Sequence, residues 1–237
     1  MISVIIPALN EGPTVGSVVK LAWNSPNVSE VIVVDDKSMD NTVEEARNAG
    51  ATVITSTKLG KGASMKDGIM VAKNEFIAFL DADIITYPKN IIDLMVTPLL
   101  QDAADFVKSF FTRQAGRVTE LVAKPLLSIL NPDFPKFQQP LSGMIAGRQS
   151  MLVKCDFEDD YGVDIGILMD MHQMGARIAE INIGNIENKM QQLEQLGRMS
   201  REVARTILKK SAFAKTQNLE TLENIQRAVF RLICIFS

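Results

Sequence analysis

Two carboxylates separated by one residue, Asp81 and Asp83, follow directly after the apolar run 76–80. The run has the length of a buried strand, so both side chains lie at its carboxyl end, where open α/β sheets bind ligands. Carboxylate oxygens suit Mg²⁺ or Mn²⁺, ions that use one or two protein carboxylates and complete their shell with substrate phosphates. The pattern indicates a divalent-cation site; a solvated acidic turn is the simpler alternative for Asp-x-Asp alone.

Polar residues also follow two earlier apolar runs. Asn10 and Glu11 end the stretch Pro-Ala-Leu-Asn-Glu after the first run, and Asp35 and Asp36 follow the second. A carboxylate at such a strand end can accept hydrogen bonds from a ribose or a base edge. Asp40 can cap the helix that follows. Caps and turns alone would explain either loop taken by itself.

The tripeptide Gly60-Lys61-Gly62 precedes a predicted helix. Flexible backbone and one ammonium group at a helix amino terminus form a setting that favours anions. The Gly-x-x-x-x-Gly-Lys-Ser/Thr spacing of a P-loop is missing, which argues against an NTPase.

The elements that must position these residues form a repeated pattern over residues 1–83. Short β-branched runs alternate with helix-like stretches, and near-continuous apolar strands of this kind predict a mostly parallel sheet covered on both faces. The four runs lie at 4–6, 31–34, 52–54 and 76–80. The predicted fold class is therefore α/β, with a Rossmann-like nucleotide-binding half.

The second half of the chain changes character. A strand at 105–108 and a helix at 118–130 come first, and the proline-containing stretch 131–140 then breaks regularity. Beyond it the sequence predicts helices at 149–153 and 165–174, a strand at 177–183 and a long polar-faced helix at 192–215. We therefore expect a helical carboxyl-terminal extension to the sheet.

Composition argues against several other classes. The chain has 237 residues and a formal net charge of −3, so it can bury a full core but offers no basic stripe for nucleic acid. Cys155 and Cys234 have no metal-binding spacing, and we expect both to be packing residues in a reducing compartment. The first strand has no basic leader, and no apolar run, including 229–236, reaches the length of a membrane span. A cytoplasmic location is expected.

The four motifs, in this order, resemble the GT-A fold of nucleotide-sugar glycosyltransferases. They are Pro-Ala-Leu-Asn-Glu, Val-Asp-Asp-x-Ser-x-Asp-x-Thr, Gly-Lys-Gly and Asp-Ala-Asp. In that family the first two motifs hold the nucleoside, and Asp-x-Asp ligates a metal that bridges the diphosphate. The resemblance implies that Asp83 is the metal ligand, that Mg²⁺ or Mn²⁺ is the cofactor and that Asp81 is catalytic. It assigns nucleotide-sugar binding to Pro7, Ala8, Leu9, Glu11, Asp36, Lys61, Asp81, Ala82, Leu141 and Gly143.

The second half resembles the glucosyl-3-phosphoglycerate synthases and their mannosyl relatives. The matching stretches are 107–111, 116–127, 139–143, 161–170 and 196–200, so the likeness covers about residues 1–212. In those enzymes a Gly-Arg-Val-Thr loop binds the phosphate and carboxylate of 3-phosphoglycerate. The resemblance therefore implies an acceptor site at Gly116, Arg117, Val118 and Thr119.

Two positions depart from that family pattern. Asp164, which the resemblance implies is catalytic, stands where relatives usually have Glu near the acceptor and the sugar, so the charge is kept and the reach is shorter. Asn188 stands where they carry a His that completes the metal site, and we expect a neutral oxygen or water to replace that imidazole. The only histidine, His172, lies in a predicted helix and is expected to be structural.

The resemblance thus implies a retaining hexosyltransferase. The expected donor is UDP-glucose, with GDP-mannose second, and the expected acceptor is 3-phosphoglycerate or a similar phosphorylated acid. We assign residues 1–110 to a nucleotide-sugar-binding subdomain, 111–216 to an acceptor-binding subdomain and 217–237 to a tail of unknown role. An inverting transferase acting on a polyprenyl phosphate or polysaccharide, and a nucleotide-binding protein with weak catalysis, stay open as alternatives. Assembly as a homodimer is also open.

Overall fold

The computed structural model describes residues 1–111, 116–186 and 193–211. Its strands are β1 (Ile2–Ala8), β2 (Val28–Asp35), β3 (Thr52–Thr55), β4 (Phe76–Phe79), β5 (Phe106–Phe110), β6 (Ile145–Arg148) and β7 (Ile178–Asn182). Its α-helices are α1 (Gly12–Ala22), α2 (Thr42–Asn48), α3 (Lys61–Val71), α4 (Ile91–Leu100), α5 (Lys124–Leu130), α6 (Gln149–Leu152), α7 (Val163–Gln173) and α8 (Leu193–Lys210). A π-helical turn, Thr119–Ala123, leads into α5.

The strands form one seven-stranded sheet in the order β3-β2-β1-β4-β6-β5-β7. All neighbours are parallel except β6, which runs antiparallel to both β4 and β5. The chain builds outward from β1 to β3 and then returns to β4 on the other side of β1. The switch point of the sheet, where ligands bind in open α/β folds, therefore lies between β1 and β4.

Successive residues of the central strands enter two apolar cores on opposite faces. On β1, Ile6 belongs to the core that contains residues of α1, α2 and α4, while Ile5 belongs to the core that contains residues of α3, α5, α7 and α8. Because the central strands are buried on both faces, their sequences read as continuous apolar runs. The predicted mostly parallel, doubly covered sheet is confirmed.

The sequence prediction lacks two elements of the structure, α4 and β6, and differs at the start of a third. Strand β6 was not predicted, because its four residues include Gly147 and show no alternation of apolar and polar side chains. The helix predicted at 118–130 starts with the π-helical turn, which ends just before Pro125. Proline has no N–H to donate to the carbonyl of residue 121, so a regular α-helical turn would lack a bond there.

The proposed subdomains share this single sheet. Strands β6 and β7, from the segment assigned to the acceptor, extend the sheet built by residues 1–110. The division at residue 110 is therefore a prediction about binding roles. The tail 217–237 lies outside the described residues, and among those described no helix is long and apolar enough to cross a membrane.

Candidate active site

A cleft of about 640 Å³ lies at the carboxyl ends of β1 and β4. It brings together every residue that the sequence assigned to the nucleotide sugar, to the metal or to catalysis. These residues are Pro7, Ala8, Leu9, Glu11, Asp36, Lys61, Asp81, Ala82, Asp83, Leu141, Gly143 and Asp164. The structure thus places them in one cavity, and their individual roles stay predictions.

The loops after β1 and β2 are tied to each other by hydrogen bonds. The Met39 amide donates to Asn10 Oδ1 at 2.8 Å, and the Gly12 amide donates to Asp40 Oδ2 at 3.0 Å. Asp40 also accepts the Thr42 amide at the start of α2, but the N-cap position is Asn41, so Asp40 ties down the residue before the helix and does not form the predicted cap. Asn10 and Asp40 therefore hold the wall of the cleft in shape, and neither lines it.

Asp36 is buried in this wall, and its two carboxylate oxygens differ in their contacts. Oδ2 accepts the Gly60 amide at 2.8 Å, whereas Oδ1 is buried and has no hydrogen-bond partner in the part of the chain that the structure describes. Burial raises the pKa of the Asp36 carboxyl above its ordinary value, against the effect of the Gly60 amide. A buried oxygen that accepts no hydrogen bond is satisfied when a ligand supplies a hydrogen-bond donor, such as a base N–H or a ribose hydroxyl.

The glycines of Gly60-Lys61-Gly62 serve close packing against the backbone of residues 158–160. Gly60 has a φ of 127°, and a Cβ there would lie 2.0 Å from the Asp159 carbonyl oxygen. The Gly62 amide donates to that same oxygen at 3.1 Å. The expected anion-binding helix start is therefore wrong for these two amides, because both donate within the protein.

Lys61 is held between two carboxylates of the cleft. Its Nζ lies 3.0 Å from Asp81 Oδ1 and 2.9 Å from Asp164 Oδ2. Burial alone would lower the pKa of the ammonium, but Asp164 and Asp81 outweigh it and raise the pKa well above its ordinary value. Gly143 leaves room for this arrangement, since a Cβ there would lie 2.5 Å from Lys61 Nζ.

Asp164 lines the cleft and has one carboxylate oxygen left over after its bond to Lys61. Its side chain is almost fully buried at the start of α7, and Oδ1 has no hydrogen-bond partner among the described residues. The backbone of Asp81 is also held, because its amide donates to the Tyr87 hydroxyl at 3.0 Å. Asp164 Oδ1 can therefore accept a hydrogen bond from a substrate hydroxyl without breaking an existing one.

The donor set fits a divalent cation whose shell is completed by a substrate. Asp83 is exposed at the cleft, and Asp81 lies beside it with Oδ1 engaged by Lys61. Within 1–111, 116–186 and 193–211, no three His, Cys, Asp or Glu side chains gather into a metal cage. Such sites suit ions that take few protein carboxylates and several phosphate oxygens. Asn188 lies outside the described residues.

The residues predicted for the acceptor do not line this cleft. Gly116 and Arg117 are exposed, whereas Val118 and Thr119 are buried at the start of the π-helical turn. No atom of the described residues lies within 4 Å of the Cβ position of Gly116. The acceptor assignment therefore stays a prediction.

Helix α8 and the loop before α7 supply cleft residues that the sequence assignment missed. They are Tyr161, Arg198, Met199 and Glu202, together with Asp159 and Asp160. Arg198 Nε donates to Glu202 Oε1 at 2.9 Å, and the Tyr161 amide donates to Glu202 Oε2 at 3.4 Å. The family likeness of 161–170 and 196–200 was the available signal for this wall.

The cleft is strongly acidic. Among the described residues that line it, the only basic side chains are Lys61 and Arg198. The carboxylates are Glu11, Asp36, Asp81, Asp83, Asp159, Asp160, Asp164 and Glu202. A divalent cation at Asp83 would offset the repulsion between these carboxylates and a nucleoside diphosphate.

Comparison with known proteins defines the class. The family model of Glycosyl transferase family 2 matches residues 3–158, and the sheet and helices form the GT-A fold seen in solved relatives. The chain belongs to glycosyl transferase family 2.

Within this class the chain is similar to glucosyl-3-phosphoglycerate synthases. It is 36% identical to that of Mycolicibacterium paratuberculosis, with 87% of this chain and 71% of the relative covered. It is 32% identical to that of Petrotoga mobilis, covering 88% and 73%. The Mycobacterium tuberculosis enzyme, solved with Mn²⁺, UDP-glucose and phosphoglyceric acid, superposes with a TM-score of 0.84 at 36% identity, covering 89% and 79%.

Proposed function

We propose that the protein transfers glucose from UDP-glucose to 3-phosphoglycerate, with a divalent cation and with retention of configuration. The observation that carries this proposal is the single cleft that unites the predicted donor, metal and catalytic residues at the switch point of the sheet. Similarity to glucosyl-3-phosphoglycerate synthases over most of the chain supports the choice of substrates.

The nucleotide occupies the β1 and β2 side of the cleft in this proposal. Asp36 Oδ1, buried and unpaired, accepts a donor from the uracil or the ribose, and Ala8, Leu9 and Glu11 line the same wall. The diphosphate lies towards Asp83, where Mg²⁺ or Mn²⁺ would supply positive charge to the leaving group. Arg198, on the opposite wall, contributes a second cation.

The sugar and acceptor lie towards Asp164 and Gly143. Asp164 Oδ1 accepts a hydroxyl of the glucose or of the acceptor and orients it, while Lys61 holds the other carboxylate oxygen. Arg117 binds the phosphate or carboxylate of 3-phosphoglycerate, because a guanidinium forms paired, charge-assisted bonds with such groups.

Transfer proceeds on one face of the sugar in this proposal. The bond from the anomeric carbon to the β-phosphate oxygen breaks, and the acceptor oxygen forms its bond on the same face. The acceptor proton passes to the leaving phosphate oxygen, so charge and atoms balance. The residues of the chain hold the acceptor oxygen and the leaving phosphate on the same face of the sugar for this exchange.

A donor and acceptor screen tests the proposal. Two donors, UDP-glucose and GDP-mannose, are each tested with 3-phosphoglycerate, with related phosphorylated acids, with a polyprenyl phosphate and without an acceptor. Each combination is measured in Mg²⁺, in Mn²⁺ and in the presence of a chelator. We expect metal-dependent UDP release only with UDP-glucose and a phosphorylated acid, and loss of it in Asp83→Ala. Turnover only on polyprenyl phosphate supports the inverting transferase, and nucleotide binding without turnover supports the binding protein.

The proposal extends to the location and assembly of the protein. Small, water-soluble substrates and two isolated cysteines are what a cytoplasmic enzyme would have. We propose that the protein acts in the cytoplasm and that it associates as a homodimer. Light scattering across a concentration series would check the assembly, and a monomer at all concentrations would contradict it.

A further inference from the structure

Lys108 is a fully buried lysine beneath the floor of the cleft. It lies in β5 with no exposed surface, on the same face as Phe106, which packs into the apolar core. Its Nζ donates to the main-chain carbonyl oxygen of Asp164 at 3.0 Å. An ammonium is costly to bury, and a methionine would fill the same length without that cost, so packing by itself gives no reason for the charge.

Asp164 is consequently held from two directions. Lys61 binds its carboxylate Oδ2 at 2.9 Å, and Lys108 binds its carbonyl oxygen from the side of the sheet. The first of these contacts fixes the side chain, and the second fixes the first turn of α7 against β5. The carboxylate of Asp164 is thereby kept at one place beside the cleft, with Oδ1 buried and without a hydrogen-bond partner among the described residues.

We propose that Lys108 is a positioning residue that anchors the first turn of α7 so that Asp164 presents Oδ1 to a substrate hydroxyl. This inference rests on the proposed function, because it assigns a role within that reaction. Lys108 itself touches no substrate in this scheme, as it does not line the cleft.

The ammonium of Lys108 loses its charge in a pH range that an activity assay can cover. Burial lowers the pKa of its ammonium to about 8. The negative charge of Asp164 acts in the opposite direction, the positive charge of Lys61 lowers the pKa further, and Asp81 and Glu180 raise it. These groups face it from α7, from α3, from the end of β4 and from β7. Loss of the proton weakens the bond to the Asp164 carbonyl, since a charged donor binds more strongly than a neutral one. Transfer should therefore decline as pH rises through about 8.

The test replaces Lys108 with methionine. We expect kcat for glucose transfer to fall about 10²-fold, as misplacement of a substrate-orienting group does. The affinity for UDP with Mn²⁺ should stay within about twofold, because Asp36 and Asp83 hold the nucleotide. The alkaline decline should disappear in Lys108→Met. An unchanged kcat, or a matched loss of kcat and UDP affinity, overturns the inference.

Lys210→Met is the matched control. Lys210 is also a buried lysine that donates to a main-chain carbonyl, that of Asp156, at 2.8 Å, and it pairs with Asp170 at 2.6 Å, outside the cleft lining. This variant should lose thermal stability while keeping both kcat and the alkaline decline. An equal fall in kcat for both lysine variants would mean that Lys108, like Lys210, affects activity only through folding, and it would overturn the inference.

A crystal structure of Lys108→Met separates this inference from the proposed function. It requires no turnover: a shift of the Asp164 carboxylate away from Lys61 supports the inference whatever the substrate, and an unmoved Asp164 overturns it. Should the variant not fold, the wild-type pH profile decides, and a rate that stays flat above about pH 8 contradicts the role of the ammonium. Failure of wild-type transfer in the substrate screen refutes the proposed function alone.

Discussion

Replacing Lys61 with methionine should destabilise the protein strongly. Methionine keeps the length of the side chain and removes the ammonium that lies 3.0 Å from Asp81 and 2.9 Å from Asp164. The side chain of Asp164 is 4% exposed and that of Asp81 25% exposed, so water can replace the lost partner only at Asp81. The variant therefore leaves one buried carboxylate without its counter-ion.

The size of the loss follows from these contacts. A hydrogen bond to a charged group contributes about 1.5–3 kcal/mol, and removing one partner of a buried ion pair costs about 3–5 kcal/mol. With Asp81 partly rehydrated, we expect the free energy of unfolding to fall by about 3–4 kcal/mol. At roughly 2–4 °C per kcal/mol for a chain of this size, Tm should fall by about 10 °C.

Thermal and urea unfolding followed by circular dichroism would measure this loss. The control is Lys124→Met, which removes a half-exposed helical ion pair to Glu120 and should cost about 0.5 kcal/mol or less. A loss below about 1 kcal/mol in Lys61→Met would refute the reasoning, because it would mean that the buried carboxylates do not depend on Lys61.

Three further changes test the site. Gly143→Ala should reduce transfer at least tenfold, which corresponds to about 1.4 kcal/mol, because its Cβ would displace Lys61. Gly197→Ala should stabilise α8 by about 0.5–1 kcal/mol, because no atom of the described residues lies within 4 Å of the added Cβ. Arg117→Ala should raise the acceptor KM about tenfold or more and leave the donor KM unchanged, because one charge-assisted pair is lost; steady-state kinetics measures both. Asn188→His should tighten Mn²⁺ binding in the presence of UDP, measured by calorimetry, because imidazole is a better ligand than an amide for this metal.

Each of these has an outcome that would contradict it. Wild-type activity in Gly143→Ala would show that Lys61 tolerates a different place. An equal rise in both KM values for Arg117→Ala would point to a structural role for the loop. Unchanged metal affinity in Asn188→His would mean that this position is not near the metal.

Much of the fold could be predicted because its signals are local. Strands that are buried on both faces must be apolar along their whole length, so short apolar runs such as 31–34 and 76–80 predict where they lie. The carboxyl ends of parallel strands meet at one edge of the sheet, and this rule alone brings Glu11, Asp36 and Asp83 together. The likeness to glycosyltransferases added the roles that spacing cannot supply.

Only the tertiary structure decided which partners these residues have. Lys61 and Asp164 are 103 positions apart in sequence, and nothing in either segment indicates that the ammonium would be held by two carboxylates. The glycines beside Lys61 looked like an anion site and proved to allow contact with residues 158–160. Strand β6, the wall formed by α8 and the buried Lys108 were likewise not assigned. The spacing of apolar residues along a segment shows which of its faces is buried and which is exposed to solvent. Contacts between distant segments depend instead on how the helices pack on the sheet, and that packing is a property of the whole chain.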